Sequence, residues 1–299
     1  MSQTDTYTLF ILRHGQSELN HENIFCGWID ASLTEEGKAQ ARSAAKMIKE
    51  HCHGKPSMLP QIGYSSRLVR TQQTFEVMLE ELGKEGSYHV ITQSTNVPAI
   101  LKNKEESKVP VLQTWRLNER HYGSWQGQRK PKILEEYGKE QYMFIRRDYK
   151  GKPPAADLSK EMIQERDDQG ALTGYEFKEP NRRVKYWPEE ESGENLPNSE
   201  SLHDVVNRLQ TFLNEVILGN LEEFSSTLIV AHGSTVRSIL KILEQISDED
   251  IKDVNIPNAI PIVIELDKKT KKFIRRYYLD PELAKVNAER VRNEGFEKN

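Results

Sequence analysis

Two apolar runs in this 299-residue chain end in the same dipeptide. "FILRHG" delivers Arg13, His14 and Gly15, and "LIVAHG" delivers His232 and Gly233. A neutral imidazole attacks an electrophile when its other nitrogen is held as a donor, which fixes the tautomer. Phosphorus suits such an attack, because phosphoryl transfer rests on alignment and on neutralising the equatorial oxygens. Arg13 adjoins the first histidine, and Arg70 follows a short apolar stretch in "YSSRLVRT". Guanidinium groups match phosphate oxygens two at a time. Gly15 and Gly233 let backbone N–H groups and a following helix N-terminus approach the same anion. Two buried structural histidines are the plain alternative. The dipeptide alone is cheap: "HCHGKP" also holds one, His53-Gly54, at the end of a helical stretch and before a proline. His51, Cys52 and His53 read there as an exposed helix end rather than a metal site.

A second constellation lies in "WRLNERHYGSWQG", residues 115–127. Glu119 sits in a polar cluster just after a strand, where a carboxyl can shuttle a proton to a substrate hydroxyl. Taken alone, it reads more simply as a surface salt-bridge partner. Lys130 in "QRKP" and the pair Arg146-Arg147 in "YMFIRRDY" add cationic charge. By themselves they describe a solvated helix face. Pro131 disfavours helical geometry at Lys130 and suits a loop entering a helix.

The elements that must position these groups are legible in the patterning. "TLFIL" (8–12), "IGYSS" (62–66), "VPVLQTW" (109–115) and "TLIVA" (227–231) have strand length and apolar composition. Between them, helical stripes run through Gly37, Ala41, Ala44, Ala45 and Ile48, and through Leu68, Thr71, Phe75, Met78, Leu79 and Leu82. Residues 201–218 and 236–243 repeat that spacing. "SDED" (247–250) matches a capping box, and "IPIVIEL" with "KKFIRRYYL" suits a pair of late strands. Strands alternating with helices predict an α/β fold of three layers, a mostly parallel sheet with helices on both faces. Ligands bind such sheets beyond the carboxyl ends of the strands. Two stretches, 93–108 and 151–195, break the rhythm and read as functional covers or flexible insertions in a single domain spanning 1–299.

Bulk properties exclude several classes. Net charge is −4, from 42 basic and 46 acidic residues, so nothing global suggests nucleic acid or an anionic membrane. Cys26 and Cys52 provide no disulfide framework. No stretch approaches the roughly 20 apolar residues of a membrane span, and the opening residues lack the features of a signal peptide. A soluble, cytoplasmic protein is the expectation.

Assembled, the motifs resemble the cofactor-dependent phosphoglycerate mutases of the histidine phosphatase superfamily. "LRHGQSELN", "IFCGWIDASLTEEG", "RTQQT", "LNERHYGSWQG", "FIRRDY", "LPNSESL", "AHGSTVR" and "NIPNAIPIVIELD" stand in that family's order. The resemblance implies that His14 accepts a phosphoryl group as phosphohistidine and that Glu119 donates and accepts the proton. It implies that His232, Arg13 and Arg70 hold the transferring group, while Ser17, Asn20 and the Cys26-Gly27 backbone line the site. Tyr122, Lys130, Arg146 and Arg147 would grip the substrate's carboxylate and second phosphate, and Gly233 with Ser234 would close the phosphate pocket. The implied reaction interconverts 2- and 3-phosphoglycerate, in glycolysis and gluconeogenesis. It is primed by 2,3-bisphosphoglycerate and uses no metal, and family analogy suggests a homo-oligomer.

The chain also departs from that pattern. Ser234 replaces the usual asparagine after the second His-Gly, and Leu19 replaces a usual tryptophan. The two insertions and the charged C-terminal tail, 281–299, exceed the family's usual forms. A cover that excludes water favours transfer over hydrolysis. A phosphatase of the same superfamily and a weakly active or inactive regulatory paralog therefore stand beside the mutase reading.

Overall fold

A strand without a polar side must be covered on both faces, and the sheet is built around such strands. The computed structural model describes residues 6–102, 108–158, 179 and 182–296. Its strands are β1 (Thr6–Arg13), β2 (Ile62–Ser65), β3 (Glu85–Val90), β4 (Lys108–Gln113), β5 (Ser226–Ala231), β6 (Ile262–Asp267) and β7 (Phe273–Tyr278). They form one seven-stranded sheet in the order β3-β4-β2-β5-β1-β6-β7. The five strands from β3 to β1 are mutually parallel; β6 runs antiparallel to β1, and β7 antiparallel to β6.

Alternate side chains of the same strands serve two separate cores, as a pleat requires. On one face Phe10, Leu12, Leu228 and Val230 meet Ala41, Ala44 and Ile48 of α1 (Glu35–His51) and Phe75 and Met78 of α2 (Val69–Glu81). Thr34 caps α1 by accepting from Gly37 N. Further along, α3 (Lys130–Arg147) begins at the predicted loop-to-helix junction, with Pro131 in its first turn. On the other face Leu9, Ile11, Ile229 and Ala231 meet Leu209 and Phe212 of α4 (Leu202–Phe212) and Val236, Ile239 and Leu240 of α5 (Gly233–Glu244). A three-layer α/β architecture results. The helical pattern through 218 ends as a π-turn over Leu213–Ile217. A last helix, α6 (Pro281–Asn293), follows β7.

Three differences from the sequence reading have physical causes. β3 carries no apolar alternation because it is an edge strand with no fully buried residue; pairing with β4 supplies its order. The stretch 93–108 contains a helix, Val97–Lys102. The 151–195 stretch contains two short helices, Arg182–Lys185 and Trp187–Glu191. They carry no periodicity because ion pairs and one buried ring hold them, not an apolar stripe. Arg67 pairs with Glu189 at 2.6 Å, Lys185 pairs with Asp30, and the buried Tyr186 ring lies 5.2 Å from Trp28. The remainder of that stretch, 159–178 and 180–181, lies outside the described residues. Ser247 and Asp250 do bond each other as a cap, but of a single 3-10 turn, Asp250–Asp253.

Candidate active site

β1 and β5 are neighbours, with Arg13 in register with Ala231, so the two His-Gly turns leave the sheet side by side. His14 N donates to Ala231 O at 3.0 Å, and the His14 and His232 ring centroids lie 5.0 Å apart. A close backbone approach pins the first turn: a Cβ on Gly37 would stand 2.1 Å from Gln16 O, and one on Gly15 2.2 Å from Gly37 O. Only glycine permits α1 to abut the His14 loop this closely.

The tautomer of His14 is set from both sides. Its Nδ1 lies 2.6 Å from Gly15 O, a position that calls for Nδ1–H as donor. Arg70 Nε donates to His14 Nε2 at 3.2 Å, which identifies Nε2 as the lone-pair nitrogen. The rest of the Arg70 guanidinium donates to Ile29 O at 2.8 Å and Gly27 O at 2.7 Å, fixing its plane. Burial, then the Arg70 and Arg13 charges, holds the His14 pKa well below 6.5, against a weaker opposing effect of the Gly15 carbonyl. The ring is a free base at neutral pH. His232 is also held well below 6.5, by burial and then by Arg70, His14 and Arg13. Its Nε2 pairs with Ser66 Oγ at 2.8 Å, while Nδ1 is buried without a partner. Arg13 is similar: NH1 donates to Ile256 O at 2.8 Å and Nε is unpartnered. Two orphaned polar atoms beside the free Nε2 fit a phosphoryl group, since buried polar groups otherwise find partners.

The loop after β4 brings Glu119 to the same place. Its Oε1 accepts from Arg120 N at 2.7 Å and Ser234 N at 3.2 Å, the latter in the first turn of α5. Oε2 lies towards Gly233, 3.8 Å from where a Cβ would be. The Glu119 carbonyl accepts from Trp28 Nε1 at 2.7 Å and Arg208 NH2 at 3.0 Å. Arg208 also bonds the carbonyls of Trp115, Arg116 and Asn118, so one buried guanidinium clamps the whole loop.

A cavity of about 70 Å³ joins these groups. Arg13, His14, Arg70, Glu119, Gly233 and Ser234 line one end, and Lys130, Arg146, Arg147 and Tyr122 the other, with Asn20, Cys26 and Gly27 on the wall. Arg146 and Arg147 close α3 with both side chains buried, so they do not form a solvated face. Ser17 does not line the cavity. Its hydroxyl caps the turn Glu18–His21, accepting from Asn20 N while Asn20 Oδ1 accepts from Ser17 N. Ser17 thereby orients Asn20. Burial pushes the Cys26 thiol up, so it stays protonated. Leu19 packs with Ile24, Cys26, Ile29 and Ala31, a cluster that keeps the first loop apolar inside.

Sequence reasoning missed Arg237, Ile256, Val291 and Glu294, which also line the cavity. Arg237 stands one helical turn beyond Gly233, a spacing that signals it. Nothing local marks the other three.

The two depressed histidines have a consequence for stability. Below pH 6.5 the unfolded chain takes up protons that the buried rings refuse, so stability falls as pH drops through 6.5 and is unaffected above it. Each ring should contribute a slope of roughly 1.4 kcal/mol per pH unit in that window. Urea midpoints compared between wild type and His14→Ala check this. The variant should lose less stability per unit of acidification, and parallel curves would refute a buried neutral His14.

The chain matches the Histidine phosphatase superfamily (branch 1) over residues 9–93, 99–173 and 159–278. It is similar to phosphoglycerate mutase 3 of Saccharomyces cerevisiae, 65% identical over 302 residues and covering 100% of both chains. It is 60% identical to phosphoglycerate mutase 2 of the same yeast, over 99% of this chain and 98% of that one. A 2,3-bisphosphoglycerate-dependent phosphoglycerate mutase of Nocardia farcinica is 36% identical, over 97% and 99%. Among solved structures, a mycobacterial glucosyl-3-phosphoglycerate phosphatase shares the fold, with TM-score 0.57, 20% identity, and 91% and 98% coverage. The sheet exits, the paired imidazoles and full-length likeness agree: the chain belongs to the histidine phosphatase superfamily, branch 1, and within it to the phosphoglycerate mutases.

Proposed function

We infer that the protein interconverts 2-phosphoglycerate and 3-phosphoglycerate through a phosphohistidine at His14, primed by 2,3-bisphosphoglycerate. The observation that carries the reading is the two-ended pocket. One end holds a free Nε2 with Arg13 and Arg70; the other holds three buried cations for a second anionic group. The names of the yeast and Nocardia relatives support the same substrate class.

Each step then follows from residues in place. His14 Nε2 attacks phosphorus in line with the departing oxygen, and Arg70 Nε, which holds that nitrogen in the free site, turns to the phosphoryl oxygens. His232 Nδ1 and Arg13 Nε are the other donors available there; Nδ1 donates when Ser66 Oγ–H points at Nε2. Glu119 gives its proton to the departing oxygen. In the return transfer it takes the proton of the attacking hydroxyl, so the carboxyl ends as it began. Glycolysis and gluconeogenesis are the pathways that use this reaction, and the two free, buried cysteines suit the cytosol.

The test is a monophosphoglycerate interconversion assay with 2,3-bisphosphoglycerate titrated in. Turnover should rise from a low basal rate and saturate with the primer. Release of inorganic phosphate faster than isomerisation would favour a phosphatase, and well-folded protein without turnover would reject catalysis.

A further inference from the structure

The far end of the cavity is already occupied, by this chain. α6 is held lightly along its length: Ala284 is its one buried residue, while Leu283 and Val286 are exposed. Its end is held differently. Val291 O accepts from Arg146 at 2.9 Å and from Arg147 at 3.0 Å. Glu294 O accepts from Arg146 at 2.9 Å and from the Tyr142 hydroxyl at 3.1 Å. The Glu294 carboxylate pairs with Lys130 at 2.5 Å and Arg146 at 2.9 Å. Carbonyls at a helix C-terminus carry partial negative charge, so the turn offers these cations an anion and its complement of acceptors. Gly295 then turns the chain away at φ +94°, with Tyr142 Oη only 2.4 Å from where a Cβ would stand.

These cations are the ones that the proposed function assigns to the substrate's second anionic group. The space left between His14 and Glu294 is about 70 Å³; at roughly 10–15 Å³ per water by this measure, it holds a handful of waters. That suits one phosphate group and not a phosphoglycerate.

We propose that Glu294 is a built-in competitor for the second anionic group of the substrate, making the site discriminate between ligands with one anionic group and ligands with two. A doubly anionic ligand must displace the C-terminal turn from Lys130 and Arg146; a lone phosphate at His14 need not. The inference rests on the two-ended reading above. Burial alone would push the Glu294 carboxyl up, but Lys130, Arg146 and Arg13 together lower it to about 2. The competitor therefore stays charged across the physiological range, and substrate concentration rather than pH dislodges it. The light packing of α6 makes that displacement inexpensive. An occupied competing state lowers apparent affinity by the fraction of free sites.

Calorimetric titration of the unprimed full-length protein tests this with two probes, 3-phosphoglycerate and inorganic phosphate. Glu294→Gln should tighten 3-phosphoglycerate binding by about threefold to tenfold and leave phosphate binding nearly unchanged. Equal tightening for both probes would indicate a general field effect and overturn the competition. Unchanged or weaker 3-phosphoglycerate binding would overturn it too, the latter making Glu294 a co-ligand. Arg146→Ala serves as the separate control. If it weakens 3-phosphoglycerate while Glu294→Gln changes nothing, only the proposal fails; if Arg146→Ala has no effect, the two-ended reading fails and the proposal with it.

Discussion

His14→Ala is expected to abolish acid-labile labelling by 2,3-bisphosphoglycerate and to lower turnover by a factor on the order of 10⁴–10⁶, as loss of a covalent nucleophile does elsewhere. The argument is geometric. Gly15 O holds Nδ1, Arg70 lies against Nε2, and both orphaned donors, His232 Nδ1 and Arg13 Nε, belong to groups around that ring. The other imidazole is a poor substitute, because its Nε2 is engaged by Ser66. Alanine leaves the Arg13 and Arg70 charges in place, so phosphate should still bind. Binding without labelling separates loss of the nucleophile from collapse of the site. Labelling at the wild-type level would remove His14 from the mechanism.

Glu119→Gln should lower the isomerisation rate by about 10²–10⁴, the usual worth of a positioned acid–base group. Here the final extent of labelling survives and only its rate falls, the reverse of the His14 pattern. Glutamine keeps an oxygen for the two backbone N–H groups that Oε1 now accepts, from Arg120 and Ser234. Loop geometry is therefore retained, with Arg208 and Trp28 still clamping the Glu119 carbonyl. What is lost is the proton-carrying oxygen near Gly233. Stopped-flow isomerisation and quench-flow labelling distinguish the two effects. A drop of less than about tenfold would assign the proton to another group.

Ser234 shows how a departure in sequence is absorbed in structure. The atom that meets Glu119 is its backbone N–H, which any residue supplies in the first turn of α5. Leu19, in place of a large indole, is fully buried in a small apolar cluster. Neither change removes a partner from His14 or His232.

By itself the sequence determined the residue types and their addresses. Apolar runs too uniform for a solvated face announced the buried strands, and the 3.6-residue stripes announced the helices, because burial writes its period into the chain. His14, His232, Arg70 and Glu119 were found because each follows such an element. Tertiary structure decided the rest. That β1 lies beside β5 is a choice of long-range pairing, invisible to local periodicity, and it alone sets the imidazoles 5.0 Å apart. Which ring nitrogen is free depends on Gly15 O and Arg70, positioned by different elements. Glu294 reads as one more charge in an acidic and basic tail. Only the path of β7 and α6 carries it to Lys130 and Arg146, 164 and 148 residues away along the chain, where Coulomb attraction in a buried pocket gives it a role.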